Sequence, residues 1–307
     1  MEKYVNTYHT PVLLQQSVEG LNIKPDGIYV DVTFGSGGHS SEVLEQLSPN
    51  GRLIAFDQDL DSKANAIDDS RFTLINSNFK YLKNHLKFHG IEVGSVSGII
   101  GDLGVSSHQF DCGERGFSTR FDGDLDMRMD TRKSLKAADI LQTYTEAELS
   151  RMFYQYGEIH NAKRLAQLIV KERNAKPFST SKDFIERIQP CVPKQKDFKY
   201  LAQLYQALRI TVNDELNALQ SVLEQSVELL QKGGRLAIIS YHSLEDRMVK
   251  VFMRSGNFED KKEKDFYGND LSPFKLITRK AIVPDENEIK TNNRSRSAKL
   301  RIAEKIK

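Results

Sequence analysis

Short apolar strands alternate with helical patterns in the first hundred residues of the chain. β-Branched and aromatic runs bounded by turn residues predict strands at about 28–33, 52–56, 72–75 and 95–102. The segments between them carry apolar residues at helical spacing, and an earlier helix is predicted over residues 11–21, with Pro11 in its first turn. Four strands separated by helices predict a parallel, doubly wound sheet.

The alternation stops after the fourth strand. Residues from about 106 to 230 contain no convincing strand pattern, and helical periodicity is found at 145–156, 160–174, 181–189 and 198–231. We expect the last of these to break near Thr211-Val212-Asn213, because β-branched residues and Asn are poor helix formers. Lys232-Gly233-Gly234 is then predicted to close the helix, with glycine at the C-cap.

Strand patterns return at 235–240, 274–279 and 297–303, and the last two are expected to pair antiparallel. The predicted fold class is α/β, with a Rossmann-like sheet and a helical insertion between strands four and five. Residues 1–105 and 215–307 form the predicted sheet domain, and residues 106–214 form the insertion. Seven strands with a final antiparallel pair suit a class I methyltransferase better than a dehydrogenase, which would continue with a sixth parallel strand.

Composition places the chain among globular proteins. It has 307 residues, of which 39% are hydrophobic and 28% are charged. No apolar run approaches the roughly 18 residues needed to span a bilayer, and residues 1–4 do not begin a signal peptide. Cys112 and Cys191 have no spacing partners, which argues against a disulfide scaffold or a metal site. We therefore predict a cytoplasmic protein with no bound metal.

The net charge of +2 conceals an uneven distribution. Residues 131–210 contain 15 Lys and Arg against 8 Asp and Glu, a surplus of +7, so the remaining residues sum to −5. A basic segment in a mildly acidic chain indicates a polyanionic partner for that segment. The alternative is a solvated helical surface that is rich in lysine.

A burst of glycine follows the first strand, in Gly35-Ser36-Gly37-Gly38-His39-Ser40, and a helical pattern comes next. Strand, glycine turn and helix are typical of a nucleotide-binding crossover. Asp57 lies 20 positions after Gly37, where an acidic residue usually holds ribose hydroxyl groups. No Gly-Lys-Ser/Thr follows, which excludes a P-loop. The expected ligand is a dinucleotide or S-adenosylmethionine, and the alternative is an ordinary turn with Ser40 or Ser41 as N-cap.

The ligand of an open parallel sheet lies beyond the carboxyl ends of its strands. The residues expected to surround an adenosine there are Gly37, Gly38, His39, Asp57, Phe79 and Asp102. The glycine turn would face the methionine part of the ligand, Asp57 the ribose and Phe79 the adenine. Two alternatives stay open at this point, because His39 can instead cap the helix and Phe79 can be a plain core aromatic.

Asp102 is the candidate for catalysis. The lone pair of an exocyclic amine is delocalised into its ring, so an acceptor must hold an N–H and aim the nitrogen at the methyl donor. A carboxylate at the end of the fourth strand is suitably placed, with the loop at 104–107 beside it. The alternative role for Asp102 is to bind the amino group of the cofactor.

Residues after the fifth strand are expected at the mouth of the same site. His242 and Ser243 lie there, and Ser243 followed by Asp246 is an N-cap arrangement. We therefore expect His242 and Ser243 to position substrate rather than to form a covalent intermediate.

Further motifs occur in one order along nearly the whole chain. They are His9-Thr10-Pro11-Val12-Leu13-Leu14, Gly37-Gly38-His39-Ser40, Asp102-Leu103-Gly104-Val105-Ser106-Ser107, Glu114-Arg115-Gly116-Phe117-Ser118, Leu125-Asp126-Met127-Arg128-Met129-Asp130, Tyr156-Gly157-Glu158, Gln206-Ala207-Leu208-Arg209-Ile210, His242-Ser243-Leu244-Glu245-Asp246-Arg247 and Arg296-Ser297-Ala298-Lys299-Leu300-Arg301. Together they resemble the bacterial ribosomal RNA small-subunit methyltransferase H family. The stretch at 118–124 departs from the usual text of that family, which affects the expected conformation of the loop.

The resemblance implies an enzyme that transfers a methyl group from S-adenosylmethionine to the exocyclic N4 of a cytidine in small-subunit (16S) ribosomal RNA. It implies cofactor contacts at the six residues named above and adds Gln109, which the family alone indicates. Ser106 and Ser107 are expected to position substrate, and the insertion is expected to recognise RNA, either free or within an assembled subunit.

No membrane partner is expected, because no apolar run is long enough to span a bilayer, and the oligomeric state is left open. Two functions of other classes remain as alternatives. They are a nicotinamide-dependent oxidoreductase and a non-catalytic RNA-binding protein.

Overall fold

Two compact units make up the part of the chain that the computed structural model describes, residues 11–307. The sheet unit combines the described residues up to Gly104 with Asn217–Lys307, and the helical unit is Val105–Leu216. These boundaries lie within two residues of those expected from the sequence. None of the described helices is both long enough and apolar enough to cross a membrane.

Seven strands form one sheet in the sheet unit. They are β1 (Ile28–Asp31), β2 (Arg52–Phe56), β3 (Phe72–Ile75), β4 (Val96–Asp102), β5 (Leu230–Ser240), β6 (Phe274–Leu276) and β7 (Lys299–Lys305). Their order across the sheet is β3-β2-β1-β4-β5-β7-β6, and β7 is antiparallel to both of its neighbours whereas the other neighbouring pairs are parallel. The predicted fold class is confirmed. The strand order reverses between β1 and β4, which is where such sheets bind ligands.

Twelve α-helices are found among the described residues. They are α1 (Leu14–Leu21), α2 (Gly38–Glu45), α3 (Leu82–Phe88), α4 (Ser107–Asp111), α5 (Ala137–Thr143), α6 (Glu146–Gly157), α7 (Ala162–Ala175), α8 (Ser181–Ile188), α9 (Asp197–Asn213), α10 (Glu215–Leu229), α11 (Ser243–Ser255) and α12 (Glu286–Thr291). The predicted break in the long helix is confirmed, because Asp214 has a left-handed φ of 58° between α9 and α10.

Apolar cores cover both faces of the sheet, which is why its central strands read as nearly continuous apolar runs. Successive residues of β4 point to opposite faces. Ile99 is buried in a core that includes side chains of α3, α10 and α11, while Ile100 is buried in a core that includes side chains of α1 and α2. Glycine in β4 makes room for this packing, because a Cβ at Gly98 would lie 2.8 Å from the ring of Tyr29.

The helical unit has its own apolar core. Buried side chains from α5 to α9 meet there, including Ile140, Phe153, Leu165, Phe184 and Leu208. Helices α6, α7 and α8 were predicted and are confirmed. Helices α4 and α5 were missed because five and seven residues are too few for apolar periodicity to indicate a helix.

Helix α1 begins later than expected, and helix α2 begins earlier. Helix α1 begins at Leu14 rather than around Pro11, because Leu13 has a left-handed φ of 51°. His9 and Thr10, which open the first family motif, lie outside the described residues. Helix α2 begins at Gly38 with Gly37 as N-cap, so Ser40 does not cap it and its hydroxyl instead donates to Asp31.

The glycines before the fifth strand do not close a helix, contrary to expectation. Helix α10 ends at Leu229, and β5 begins at Leu230, which pairs with Val96. Gly233 has a φ of 80° and takes up an irregularity in the β4–β5 register, which resumes at Arg235. The glycine pair therefore belongs to a strand irregularity rather than to a C-cap.

Candidate active site

Three aspartates lie at the carboxyl ends of neighbouring parallel strands. Asp31 ends β1, Asp57 follows β2 and Asp102 ends β4. Because the strand order reverses between β1 and β4, these carboxyl groups lie where open α/β sheets bind their ligands. Asp57 and Asp102 were predicted from the sequence and Asp31 was not, although the same strand-end argument applies to it.

Asp57 fixes the glycine turn. One carboxylate oxygen accepts the N–H of Gly35 at 2.8 Å, and the other accepts the N–H of Asp59 at 2.8 Å. Burial of the carboxyl group raises the pKa of Asp57 to about 6. Gly35 has a φ of 54°, and an added Cβ there would meet no atom closer than Thr33 O at 4.0 Å. A carboxylate oxygen can accept more than one hydrogen bond, so Asp57 can still receive a ligand hydroxyl beside this open turn.

Asp31 connects β1 to α2. Its oxygens accept the Ser40 hydroxyl at 2.7 Å and the N–H of Thr33 at 2.9 Å. The side chain is buried, and burial raises the pKa of Asp31 to about 6. Thr33 in turn holds the end of the neighbouring strand β4, because its hydroxyl accepts the backbone N–H of Asp102 at 2.6 Å.

Asp102 joins β4 to the residue that follows β5. The phenol of Tyr241 donates to one of its carboxylate oxygens at 2.8 Å. Burial of the carboxyl group raises the pKa of Asp102 to about 7, the Tyr241 hydrogen bond opposes this rise, and the charges of Asp31, Glu245 and Glu288 add to it. The residue as a whole is only half-buried, so it remains partly open at the sheet edge.

His39 is directed toward the chain before α1. Its Nε2 lies 3.2 Å from the carbonyl oxygen of Val12, which fits a neutral ring that donates from Nε2. Burial lowers the pKa of His39 to about 4. The alternative that His39 caps α2 is wrong, because Gly37 is the N-cap and no side chain bonds there. A cofactor contact at His39 stays a prediction.

Packing within the protein is enough to require glycine at both Gly37 and Gly38, the two glycines that were predicted to contact the cofactor. Gly37 has a φ of 82°, and an added Cβ would lie 2.9 Å from the ring of Phe34. A Cβ on Gly38 would lie 2.1 Å from the side chain of Pro11. Phe79 is half-buried and packs against a core of the sheet unit, so its alternative role as a core aromatic fits and its adenine contact stays a prediction.

His242 rather than Ser243 caps α11. Its Nδ1 accepts the N–H of Glu245 at 3.4 Å, and its Nε2 lies 3.1 Å from a carboxylate oxygen of the same residue. The predicted N-cap at Ser243 is therefore wrong by one position, and Ser243 is the exposed first residue of the helix. Substrate positioning by either residue stays a prediction.

The remaining predicted site residues lie in the helical unit, at the start of α4. Ser106 is its N-cap, and the Ser106 hydroxyl accepts the N–H of Gln109 at 3.2 Å. The Gln109 amide oxygen accepts the N–H of Ser106 at 3.1 Å, which completes a capping box. Ser107 is the first residue of the helix. Gln109 thus has a structural role, and its contact with a cofactor stays a prediction.

An exposed basic turn leads into α9. Residues 193–199, which we call the lysine tip, are all exposed and contain Lys194, Lys196 and Lys199. Among the described residues, none of these three lysines has an ion-pair partner. Phe198 lies among them with 84% of its surface exposed. An aromatic ring among free cations is a surface that suits a nucleic acid.

The chemistry at the sheet edge restricts the ligand. Ionised carboxylates only accept hydrogen bonds, and the three aspartates together with Glu245 and Glu288 bring five acidic groups to this edge. These residues fit a ligand that offers hydroxyl groups and carries positive charge, as the ribose, ammonium and sulfonium groups of the expected cofactor do.

Comparisons with known proteins agree with the expected family. Residues 6–306 match the model of the MraW methylase family. The chain is 58% identical to ribosomal RNA small subunit methyltransferase H of Flavobacterium johnsoniae, over 97% of this chain and 98% of that protein. It is 55% identical to the protein of that name in Parabacteroides distasonis, over 100% of both chains, and 56% identical to that of Bacteroides thetaiotaomicron, over 99% of this chain and 100% of that one.

Proposed function

The chain belongs to the MraW methylase family, and from that premise we propose that it methylates the exocyclic N4 of a cytidine in small-subunit ribosomal RNA, with Asp102 at the reacting amine. It is a methyltransferase that uses S-adenosylmethionine, so the family, enzyme class and cofactor predicted from the sequence are confirmed. Family membership excludes the two alternatives, an oxidoreductase and a non-catalytic RNA-binding protein. Cytoplasmic location stays a prediction.

Asp57 and the Gly35 turn contribute to cofactor binding in this proposal. S-adenosylmethionine supplies, when bound, an electrophilic methyl group on a positively charged sulfur. Asp57 accepts ribose hydroxyl bonds, and its two backbone hydrogen bonds keep the carboxylate and the Gly35 turn in one arrangement before binding. The open space beside Gly35 allows the backbone to approach the ligand.

Asp102 orients the amine. With cofactor bound, the sulfonium would supply the methyl group to N4 and leave as a neutral thioether, and the proton that N4 loses would pass to solvent. An ionised Asp102 accepts a hydrogen bond from the N4 amine, which directs the nitrogen lone pair at the methyl group. Its negative charge stabilises the positive charge that develops on N4. The observation that supports this role is the position of Asp102 at the carboxyl end of β4, where the residue as a whole is only half-buried. The alternative role, a bond to the amino group of the cofactor, uses the same carboxylate.

The helical unit binds RNA in this proposal. A cytosine must leave its base stack before its N4 can reach a methyl donor, so the enzyme needs contacts that hold the flanking RNA. The lysine tip offers three cations for phosphates and Phe198 for stacking of an unpaired base. Arg173 is not part of this surface, because it donates to the carbonyl oxygens of Leu141 and Tyr144.

Methylation of defined substrates tests the proposal. Purified protein is incubated with labelled S-adenosylmethionine and either transcribed small-subunit RNA or isolated small subunits, and the modified nucleotide is mapped by mass spectrometry. We expect one N4-methylated cytidine, and the faster substrate identifies free RNA or the assembled subunit as the target. A methyl group on another base position, or on neither substrate, would contradict the proposal.

A further inference from the structure

Tyr241 is held at both ends beside Asp102. Its phenol donates to a carboxylate oxygen of Asp102 at 2.8 Å, and its backbone N–H donates to a carboxylate oxygen of Glu245 at 3.0 Å. Because Tyr241 directly follows β5 and Glu245 lies in the first turn of α11, the ring projects from a fixed strand–helix junction. An added Cβ on Gly104 would lie 3.6 Å from the ring, so the chain after β4 also passes close to it.

We propose that Tyr241 is a positioning residue for methyl transfer, whose phenol holds one carboxylate oxygen of Asp102 and leaves the other oxygen to accept the amine N–H. This inference rests on the proposed role of Asp102. Among the described residues, the phenol is the side-chain group that hydrogen-bonds this carboxylate. Thr33 fixes the backbone of Asp102, and Tyr241 fixes the direction of the carboxylate.

The phenol of Tyr241 also favours the ionised form of Asp102. Asp31, Glu245 and Glu288 face Asp102 with negative charge and favour its protonated form, whereas the phenol donates to the ionised form and favours that one. Burial and the neighbouring carboxylates raise the pKa of Tyr241 itself, so the phenol keeps its proton over the range in which the enzyme works. Tyr241 therefore acts as a donor to Asp102 and not as a base.

Tyr241→Phe removes only the hydroxyl and is the decisive variant. In single-turnover methylation at saturating cofactor, we expect a loss on the order of 10- to 100-fold at pH 7, the size expected for a hydrogen bond to a charged group. The acid limb of the pH–rate profile should move to higher pH, because Asp102 then needs a higher pH to ionise. The KM values for cofactor and RNA should change little.

A matched control separates positioning from stability. Tyr29 is a buried tyrosine of the same unit whose hydroxyl accepts the N–H of Lys24 at 2.7 Å, a backbone partner rather than a carboxylate. Tyr29→Phe also removes a buried phenol hydroxyl, so it should lower the melting temperature without moving the pH–rate profile. Titration of the Asp102 carboxyl by ¹³C NMR in the cofactor-free protein gives a readout without activity, and the pKa should be higher in Tyr241→Phe than in wild type.

The outcomes distinguish this inference from the proposed function. A shifted acid limb and a raised Asp102 pKa in Tyr241→Phe, with neither in Tyr29→Phe, would support the inference. An unchanged profile and unchanged Asp102 titration in Tyr241→Phe would overturn it, even if Asp102→Ala abolished turnover and so supported the function. Wild-type turnover in saturated Asp102→Ala would overturn the role of Asp102 and this inference together.

Discussion

The aspartates of the sheet unit and the lysine tip of the helical unit present charge in opposite ways. The carboxyl groups of Asp31, Asp57 and Asp102 are enclosed, and burial raises their pKa values to about 6 or 7. The lysines of the tip are exposed and free of ion pairs among the described residues. Enclosed charges are screened little by salt, whereas exposed ones lose most of their reach beyond about 8 Å at physiological ionic strength. Cofactor binding should therefore depend on single side chains, and RNA binding on many charges and on salt.

Removal of Asp102 should have the largest effect. We expect Asp102→Ala to lower the single-turnover rate on the order of 10²–10³-fold at saturating cofactor, the loss typical of a group that stabilises developing charge. Asp102→Asn keeps an acceptor oxygen without the charge and should be impaired less. Calorimetry establishes saturation. A wild-type rate in saturated Asp102→Ala would reduce Asp102 to a cofactor ligand.

Asp57→Ala should weaken cofactor binding more than it slows chemistry. Asp57 would accept ribose bonds in the ground state and the transition state alike, so the KM for the cofactor should rise roughly 10- to 100-fold while kcat changes little. The exposed Asp26, which accepts the Ser48 hydroxyl, provides a control as Asp26→Ala. A normal KM with a collapsed kcat would contradict the assignment.

Neutralising the lysine tip should reduce the salt dependence of RNA binding. Each phosphate contact on single-stranded RNA contributes about 0.7 to the slope of log K against log salt, so replacing all three lysines with Ala should reduce the slope by about 2. S-adenosylmethionine titration should stay unchanged. The exposed Lys24, Lys87 and Lys232 of the sheet unit form a matched triple control. If both triple variants had the same slope, the tip would be only a solvated surface.

Asp102→Asn should stabilise the folded protein at high pH, although it impairs methyl transfer. This effect should be the smallest of those predicted here. The folded pKa of Asp102 is about 7 against an ordinary value of 3.8, so the stability linked to its proton is complete below pH 3.8 and is lost as pH rises through 7. Cofactor-free Asp102→Asn should therefore melt a few degrees above wild type at pH 8 by scanning calorimetry, with a smaller difference at pH 5. An equal difference at both pH values would show that the charge is not the cause.

Strand ends could be predicted from sequence because apolar runs and glycine turns are local. That is why Asp57 and Asp102 could be placed at strand ends from the sequence, and why a helical insertion was expected after the fourth strand. Partners that are distant in sequence leave no local pattern, so the bond between Asp102 and Tyr241, 139 positions apart, was not foreseen. Boundary errors have the same origin, since the N-cap of α1, Leu13, donates its N–H to Glu288, which lies 275 positions away in the sequence. Gly233 was likewise predicted to be a helix C-cap, because the pairing of β5 with β4 leaves no mark on the local sequence.

The place of β7 in the sheet has a consequence for how the protein is made. β7 lies between β5 and β6, so the hydrogen-bonding edge of β5 stays open until residues 299–305 have left the ribosome. An apolar strand with an open edge is a template for wrong pairing, and pairing between distant segments forms slowly. The nascent sheet unit is thus exposed to aggregation from the synthesis of β5 until β7 has emerged. A stop codon shortly before residue 299 should yield insoluble protein, although every strand-end aspartate would be present.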